Sequence, residues 1–73
     1  MNRDELNKLL NDVEKENLFL EFENIDDVAS VHFVKNNFLF MLNGVALFSC
    51  KKPTFLNKLM FQIDRKNLSL VEE

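Results

Sequence analysis

The chain contains little of what small proteins use to staple a fold or to build a catalytic centre. Among its 73 residues there are one cysteine (Cys50), one histidine (His32), one glycine and one proline, with no tryptophan or tyrosine. A single cysteine excludes an internal disulfide framework. One cysteine and one histidine are also too few for a structural zinc site, which needs four ligands. A single glycine excludes a glycine-rich phosphate-binding loop. We therefore expect no cofactor and no metal, and a single domain spanning residues 1–73.

Catalytic chemistry is equally poorly represented. Cys50 and His32 are the only nucleophile and base of the cysteine–histidine type, and strand spacing places them about 16 Å apart in the sheet described below. We therefore assign no catalytic residue and expect the protein not to be an enzyme. His32 is read as a partly buried sheet residue bonded to Glu21 or Ser30, or else as a pH-sensitive or ligand-contacting group, and Cys50 as an apolar filler.

Membrane and export signals are also missing. The longest apolar run, residues 38–42, is far shorter than the roughly 20 residues that cross a bilayer. The first residues are polar and charged rather than signal-like. A free cysteine suits a reducing compartment, so we expect a cytoplasmic protein with no membrane association.

What the chain does have is an uneven charge. The net charge is −3, and nine of the twelve acids lie in the first 30 residues. An acidic chain binds nucleic acid poorly, because such binding depends on neutralising phosphates. The acidic half is either a solvated surface or a face that meets a basic partner, with imitation of nucleic acid as a variant. The candidate partner-facing acids are Asp4, Glu5, Asp12, Glu14, Glu16, Glu21 and Glu23.

The hydrophobic period predicts a helix followed by strands. Four apolar residues at i, i+3, i+4 and i+7 make one stripe of a helix over residues 3–16, with Asn2 as its cap and Glu5 in the capping-box position. The period then changes to two, which predicts strands at residues 18–23, 28–35, 38–42 and 45–50. The stripe consists of Leu6, Leu9, Leu10 and Val13.

A second helix is predicted from Pro53 or Thr54 to Asp64, because proline fits a first helical turn. Phe61 points away from the apolar arc of this helix, and a further short edge strand could follow at residues 68–71. The fold class is therefore α+β: an N-terminal helix, a four-stranded antiparallel meander, a C-terminal helix and that optional edge strand.

Two tight turns, at Asn36-Asn37 and Asn43-Gly44, set the predicted register of the strands. They place Phe40 opposite both Phe33 and Leu47, and Leu39 opposite Phe48. A four-residue loop after the first strand places Leu20 opposite Val31 and Phe22 opposite Ala29. One face is then apolar throughout, and both helices can dock on it. The second face holds Phe19, Glu21, Glu23, Val28, Ser30, His32, Val34, Leu39, Met41, Ala46, Phe48 and Cys50.

The second face is polar across the first strand and part of the second, but it is apolar across the third and fourth strands, where a solvated sheet face should be polar. It is therefore the candidate interface. Three arrangements stay open at this point: one helix on each face, pairing with a second copy, or docking of a different protein. The candidate interface residues are Phe19, His32, Val34, Leu39, Met41, Ala46 and Phe48.

These features together predict a small non-enzymatic protein-interaction module, a homodimer that binds and inhibits or regulates a cellular protein. Inhibitors from phages or mobile elements have this profile, as do small antitoxins and immunity proteins. The alternative is a small-ligand-binding protein whose pocket lies between two copies and is lined by Ser30, His32 and Met41.

Overall fold

The computed structural model describes residues 1–71, in which one antiparallel sheet is covered on a single side by two helices. The strand order is β4-β3-β2-β1-β5, so four strands form a meander and the short β5 pairs antiparallel with β1. The predicted α+β fold is confirmed, including the terminal edge strand. In chain order the elements are α1 (Arg3–Glu16), β1 (Leu20–Glu23), β2 (Val28–Val34), β3 (Asn37–Leu42), β4 (Val45–Cys50), α2 (Lys52–Lys66) and β5 (Ser69–Leu70).

Helix α1 has the predicted bounds because its ends carry strong local signals. The Asn2 side-chain oxygen accepts from the Glu5 backbone N–H at 2.8 Å, and its Nδ2 donates to Glu5 Oε1 at 3.0 Å. At the other end Asn17 adopts a left-handed conformation with φ 54°, which terminates the helix. The buried residues of its apolar stripe are Leu6, Leu10 and Val13.

Helix α2 extends one or two residues beyond the prediction at each end. Pro53 lies in its first turn, where no intrahelical N–H is required. Asn67 ends the helix at φ 52°, and the Leu68 N–H donates to the Ile63 carbonyl at 3.0 Å. This cap turns the chain so that Leu68 is buried and β5 reaches β1.

The first hairpin has the predicted register, with Leu20 opposite Val31 and Phe22 opposite Ala29. The first strand is shorter than predicted, because it begins at Leu20. Leu18 and Phe19 connect it to the end of α1, and both are exposed.

The second hairpin turns one residue earlier than predicted, at Lys35 and Asn36, whose φ angles are 53° and 67°. Phe33 therefore faces Phe38 rather than Phe40. A left-handed lysine costs roughly 1–2 kcal/mol. Burying a phenylalanine contributes about 1.5–3 kcal/mol, and this register buries Phe38 completely. The register moves by two positions, so every side chain keeps its predicted face.

The third hairpin contains a β-bulge that the sequence did not predict. Met41 faces Ala46 as expected, but Phe40 then faces Phe48, which leaves Leu47 as the extra residue. From this point onward each side chain of β4 changes face. The predicted pairs Phe40–Leu47 and Leu39–Phe48 are wrong for this reason.

The bulge brings Phe48 into an aromatic cluster on the covered face. Its ring stacks on Phe40 at 5.0 Å between centroids and packs against Phe55 of α2 at 5.4 Å. Cys50 follows it to the same face and packs against the core. Phe48 presents more apolar area than Leu47, so exchanging the two in the covered position favours the bulged register.

Both helices pack on the same face of the sheet, α1 against β2 and α2 against β3 and β4. Within residues 1–71, no helix lies over the second face, so the arrangement with one helix on each face is excluded for that part of the chain. The buried core consists of Leu6, Leu10, Val13, Phe22, Ala29, Val31, Phe38, Phe40, Phe55, Leu56, Leu59 and Leu68.

Three polar side chains join the two turns at one end of the sheet. The Asn24 side-chain oxygen accepts from the N–H groups of Asp26 and Asp27, at 2.7 and 2.6 Å. Asn43 donates from Nδ2 to Asp27 at 2.9 Å and accepts from the Val28 N–H at 2.9 Å. The Asn43-Gly44 turn therefore also fixes the loop between β1 and β2.

The bulge predicts that truncating two neighbouring residues lowers the free energy of unfolding by unequal amounts. Phe48→Ala should lower the free energy of unfolding by about 2–4 kcal/mol, because it removes a ring from the core. Leu47→Ala should cost less than about 1 kcal/mol, because Leu47 is 47% exposed. Urea unfolding of the two variants measures both values. If Leu47→Ala lowered the free energy of unfolding more than Phe48→Ala does, the register without the bulge would be correct.

The hydrogen bonds of Asp27 predict that the folded state loses part of its stability in acid. Hydrogen bonds from Asn43 and Asn24 hold the pKa of Asp27 below its ordinary value. A lowered pKa stabilises the folded state above the ordinary value, about 3.9, and this contribution is lost as the pH falls through the lower, folded pKa. The urea midpoint should therefore fall less in Asp27→Asn than in the unmodified protein between pH 6 and about pH 3. Asp26→Asn, in the same turn, is the matched control and should keep the full decrease.

Candidate interaction surface

The uncovered side of the sheet, here called the open face, presents side chains from all four strands of the meander. Across the strands, one row holds Glu21, Ser30, Met41 and Ala46, and the next holds His32, Leu39 and Ser49, with Phe19 stacked on His32. Glu23 and Val28 form a further row at one end of the strands, and Val34 and Asn37 form another row at the opposite end.

The open face is mixed in composition, and apolar residues make up half of those named above. Phe19, Val28 and Val34 are 56%, 57% and 48% exposed. Leu39 and Met41 lie between them and are half-buried by their neighbours. A sheet face that meets only water normally alternates to polar residues, so this surface has the composition of an interface.

His32 lies near the middle of the open face and is held by two neighbours. Its Nε2 is 2.8 Å from Ser30 Oγ, and its ring stacks on Phe19 at 5.5 Å. Of the two predicted partners, Ser30 is the one observed. The pair lies between the exposed Glu21 of β1 and the apolar Leu39 and Met41 of β3.

Six of the seven predicted interface residues share the open face, and Phe48 does not. Placing Phe48 and Cys50 on this face is wrong, because the bulge turns both toward the helices. Ser49 occupies the position opposite Leu39 instead. The interface role of the other six stays a prediction; they are Phe19, His32, Val34, Leu39, Met41 and Ala46.

Charges of opposite sign lie in different places around the open face. Glu21 and Glu23 are exposed on β1. Lys35 is exposed in the turn between β2 and β3, and Lys51 follows β4, where its Nζ donates to the Asn36 carbonyl at 2.7 Å. The β1 side of the face is therefore acidic, and the two lysines lie at the end of the sheet away from Glu23, with Lys51 on the β4 side.

The predicted acidic surface is divided between two sides of the molecule. Glu21 and Glu23 lie on the open face, whereas the acids of α1 lie beyond the covered face, because α1 packs there. All five α1 acids are exposed: Asp4, Glu5, Asp12, Glu14 and Glu16. A single partner therefore does not meet both groups on one flat surface.

The side chains of Cys50 and His32 are separated both by the strands between them and by lying on opposite faces of the sheet. His32 lies on the open face of β2, and Cys50 lies on the covered face of β4. The sheet itself stands between the thiol and the imidazole. In the described residues, no group of three or more histidine, cysteine, aspartate or glutamate side chains is placed to hold a metal.

A second apolar surface, missed from the sequence, lies beside β4. Leu47 and Phe61 are both about half exposed and line a groove of about 480 Å³ between β4 and α2. The outward direction of Phe61 was the one signal for it. The position of Leu47 depends on the bulge, so the groove could not be predicted from alternation.

Neither of the two helices described in residues 1–71 is long and apolar enough to cross a membrane. Comparison of the chain with protein-family models, curated proteins and solved structures finds no match. The candidate surfaces that the structure presents are the open face, the acidic outer side of α1, and the groove beside β4.

Proposed function

We propose that this protein is a non-enzymatic interaction module that pairs with a second copy of itself through the open face. As a dimer, it binds another cellular protein and inhibits or regulates it. The observation that carries this proposal is the packing of both helices on one side of the sheet, which leaves the open face uncovered.

A second copy suits the open face because the charges of the face complement themselves. A two-fold axis between two open faces, running along the uncharged diagonal, brings the Glu21 and Glu23 corner of each copy to the Lys35 and Lys51 corner of the other. The strands of the two sheets then cross at a large angle, which is one of the two common modes of sheet packing. The apolar centre around Met41 pairs with its own copy on the axis.

The size of the face sets the expected strength of this dimer. Four strands about 4.8 Å apart and about six residues long give a footprint of about 20 by 20 Å. That is about 400 Å² per copy, below the roughly 1,000 Å² in total that a stable specific interface buries, so we expect a weak, reversible dimer.

The acids of α1 stay accessible in this dimer, because they lie on the far side of each copy from the paired faces. They give the module a surface that a basic protein partner can recognise without the module binding nucleic acid itself. Blocking such a partner is the role that we propose, as for a small phage or mobile-element inhibitor. The free Cys50 is consistent with a reducing compartment, so we place this role in the cytoplasm.

The alternative, a small-ligand site between two copies, uses part of the same surface. Ser30 is bonded to His32 and lies opposite Met41, so the three residues proposed for such a pocket adjoin one another. This arrangement supports the alternative without distinguishing it from simple self-pairing.

Self-pairing through the open face predicts a difference between two exposed valines. Val34→Glu should raise the dimer dissociation constant by about tenfold or more, because it places an unpaired charge in the apolar contact. Val45→Glu is the matched control: Val45 is also exposed but belongs to the covered side, beside Leu42. Sedimentation equilibrium over a range of concentrations measures both constants. A protein that stays monomeric at high micromolar concentration would overturn the dimer.

The diagonal axis predicts a charge-swap rescue. Glu23→Lys and Lys51→Glu should each weaken the dimer by roughly two- to fivefold, the usual value of an exposed ion pair, and the double variant should recover most of the loss. The effect should shrink in about 1 M salt, where exposed charges are screened. Glu14→Lys on α1 is the control with the same charge change and should leave the constant unaltered. Additive losses in the double variant would show that the two corners do not meet.

A further inference from the structure

Strand β4 forms a free edge of the sheet. It is the last strand in the order, so within residues 1–71 the backbone N–H and C=O groups that point away from β3 have no strand beside them. Its six residues, Val45–Cys50, include no charge and no proline, which are two of the devices that block strand addition. A third such device, the bulge at Leu47, interrupts this edge, so an added strand is expected to pair with residues 48–50 beyond it. The opposite edge is the two-residue β5, which is too short to offer the same template.

An apolar groove runs beside this edge. Its walls are Leu47 from the bulge and Phe61 from α2, and Phe48 lies between them at the margin of the core. Side chains of an added strand would alternate between this groove and the open side of the sheet. The groove therefore offers a place for apolar side chains at every second position.

The charged groups beside the groove are basic. Lys58 Nζ lies 5.4 Å from the centre of the Phe48 ring, and the Arg65 guanidinium lies 5.9 Å from the centre of the Phe61 ring. Both cations are therefore held over the walls of the groove. Asp64, which precedes Arg65 in the sequence, lines a neighbouring groove beside Met1 and Leu6 that Phe61 also borders.

This charge distribution selects between two occupants of the edge. Pairing the β4 edges of two copies would bring Lys58 and Arg65 of one copy toward those of the other, and like charges across an interface are unfavourable. A partner with carboxylates would neutralise them instead.

We propose that the β4 edge and its groove bind an extended acidic peptide segment of another protein, which joins the sheet as an additional strand. Its backbone pairs with β4, its apolar side chains enter the groove between Leu47 and Phe61, and its carboxylates meet Lys58 and Arg65. This is the strand-addition mode of peptide recognition. The groove lies on the opposite side of the sheet from the open face, so binding in the groove does not depend on whether the protein forms dimers.

The test uses a displayed library of random twelve-residue peptides, selected on the full-length protein. Enriched peptides should carry net negative charge and alternate apolar with polar residues. The best of them is then synthesised and titrated against variants that unfold in urea like the unmodified protein. Lys58→Glu should weaken its binding about tenfold or more, and Lys8→Glu on α1, with the same charge change, should leave binding within about twofold.

A second pair of variants separates this site from the open face. Leu47→Asp should abolish binding of the enriched peptide, whereas Val34→Asp should leave it intact. Hydrogen exchange in the presence of the peptide should slow at the backbone amides of β4, because strand addition gives them new acceptors. A library that yields no acidic peptide, equal losses in the two aspartate variants, or unchanged exchange along β4 would each overturn the proposal.

Discussion

The structure depends on the packing of four phenylalanine rings beneath α2. Phe55 of the helix lies 5.3 Å from Phe38 and 5.4 Å from Phe48, and Phe48 in turn stacks on Phe40 at 5.0 Å. The four rings can form one cluster only if the three strand rings project from the same face of β3 and β4. This requirement holds α2 over that half of the sheet, and α1 covers the part over β2.

Both potential binding surfaces follow from that requirement. Because both helices cover one face, the opposite face of residues 20–50 has no cover within the described chain. Because Phe48 must turn inward, the strand bulges and Leu47 moves to the edge, where it forms one wall of the groove with Phe61. The open face and the groove are thus two consequences of how the aromatic core is filled, and they present different chemistry. The open face carries both signs of charge around an apolar centre, whereas the groove has cations beside its aromatic side chains.

Much of the fold could be predicted because its signals are local. The Asn2 cap and the leucine stripe define α1 within a few turns of chain, and strict alternation assigns the faces of β1, β2 and β3. Even the misplaced second turn did no harm to those faces, because moving a hairpin turn by one residue shifts the strand register by two. For the same reason, six of the seven predicted interface residues lie together on the open face.

The sequence by itself determined the two helices, the meander and which side chains of β1 to β3 share a face, since periodicity and capping act between residues close in the chain. Only the tertiary structure decided which residue of β4 fills the core and where both helices pack. Leu47 and Phe48 are adjacent apolar residues, and alternation favours neither. The choice depends on the space between Phe40 and Phe55, residues brought together by the fold and not by the sequence.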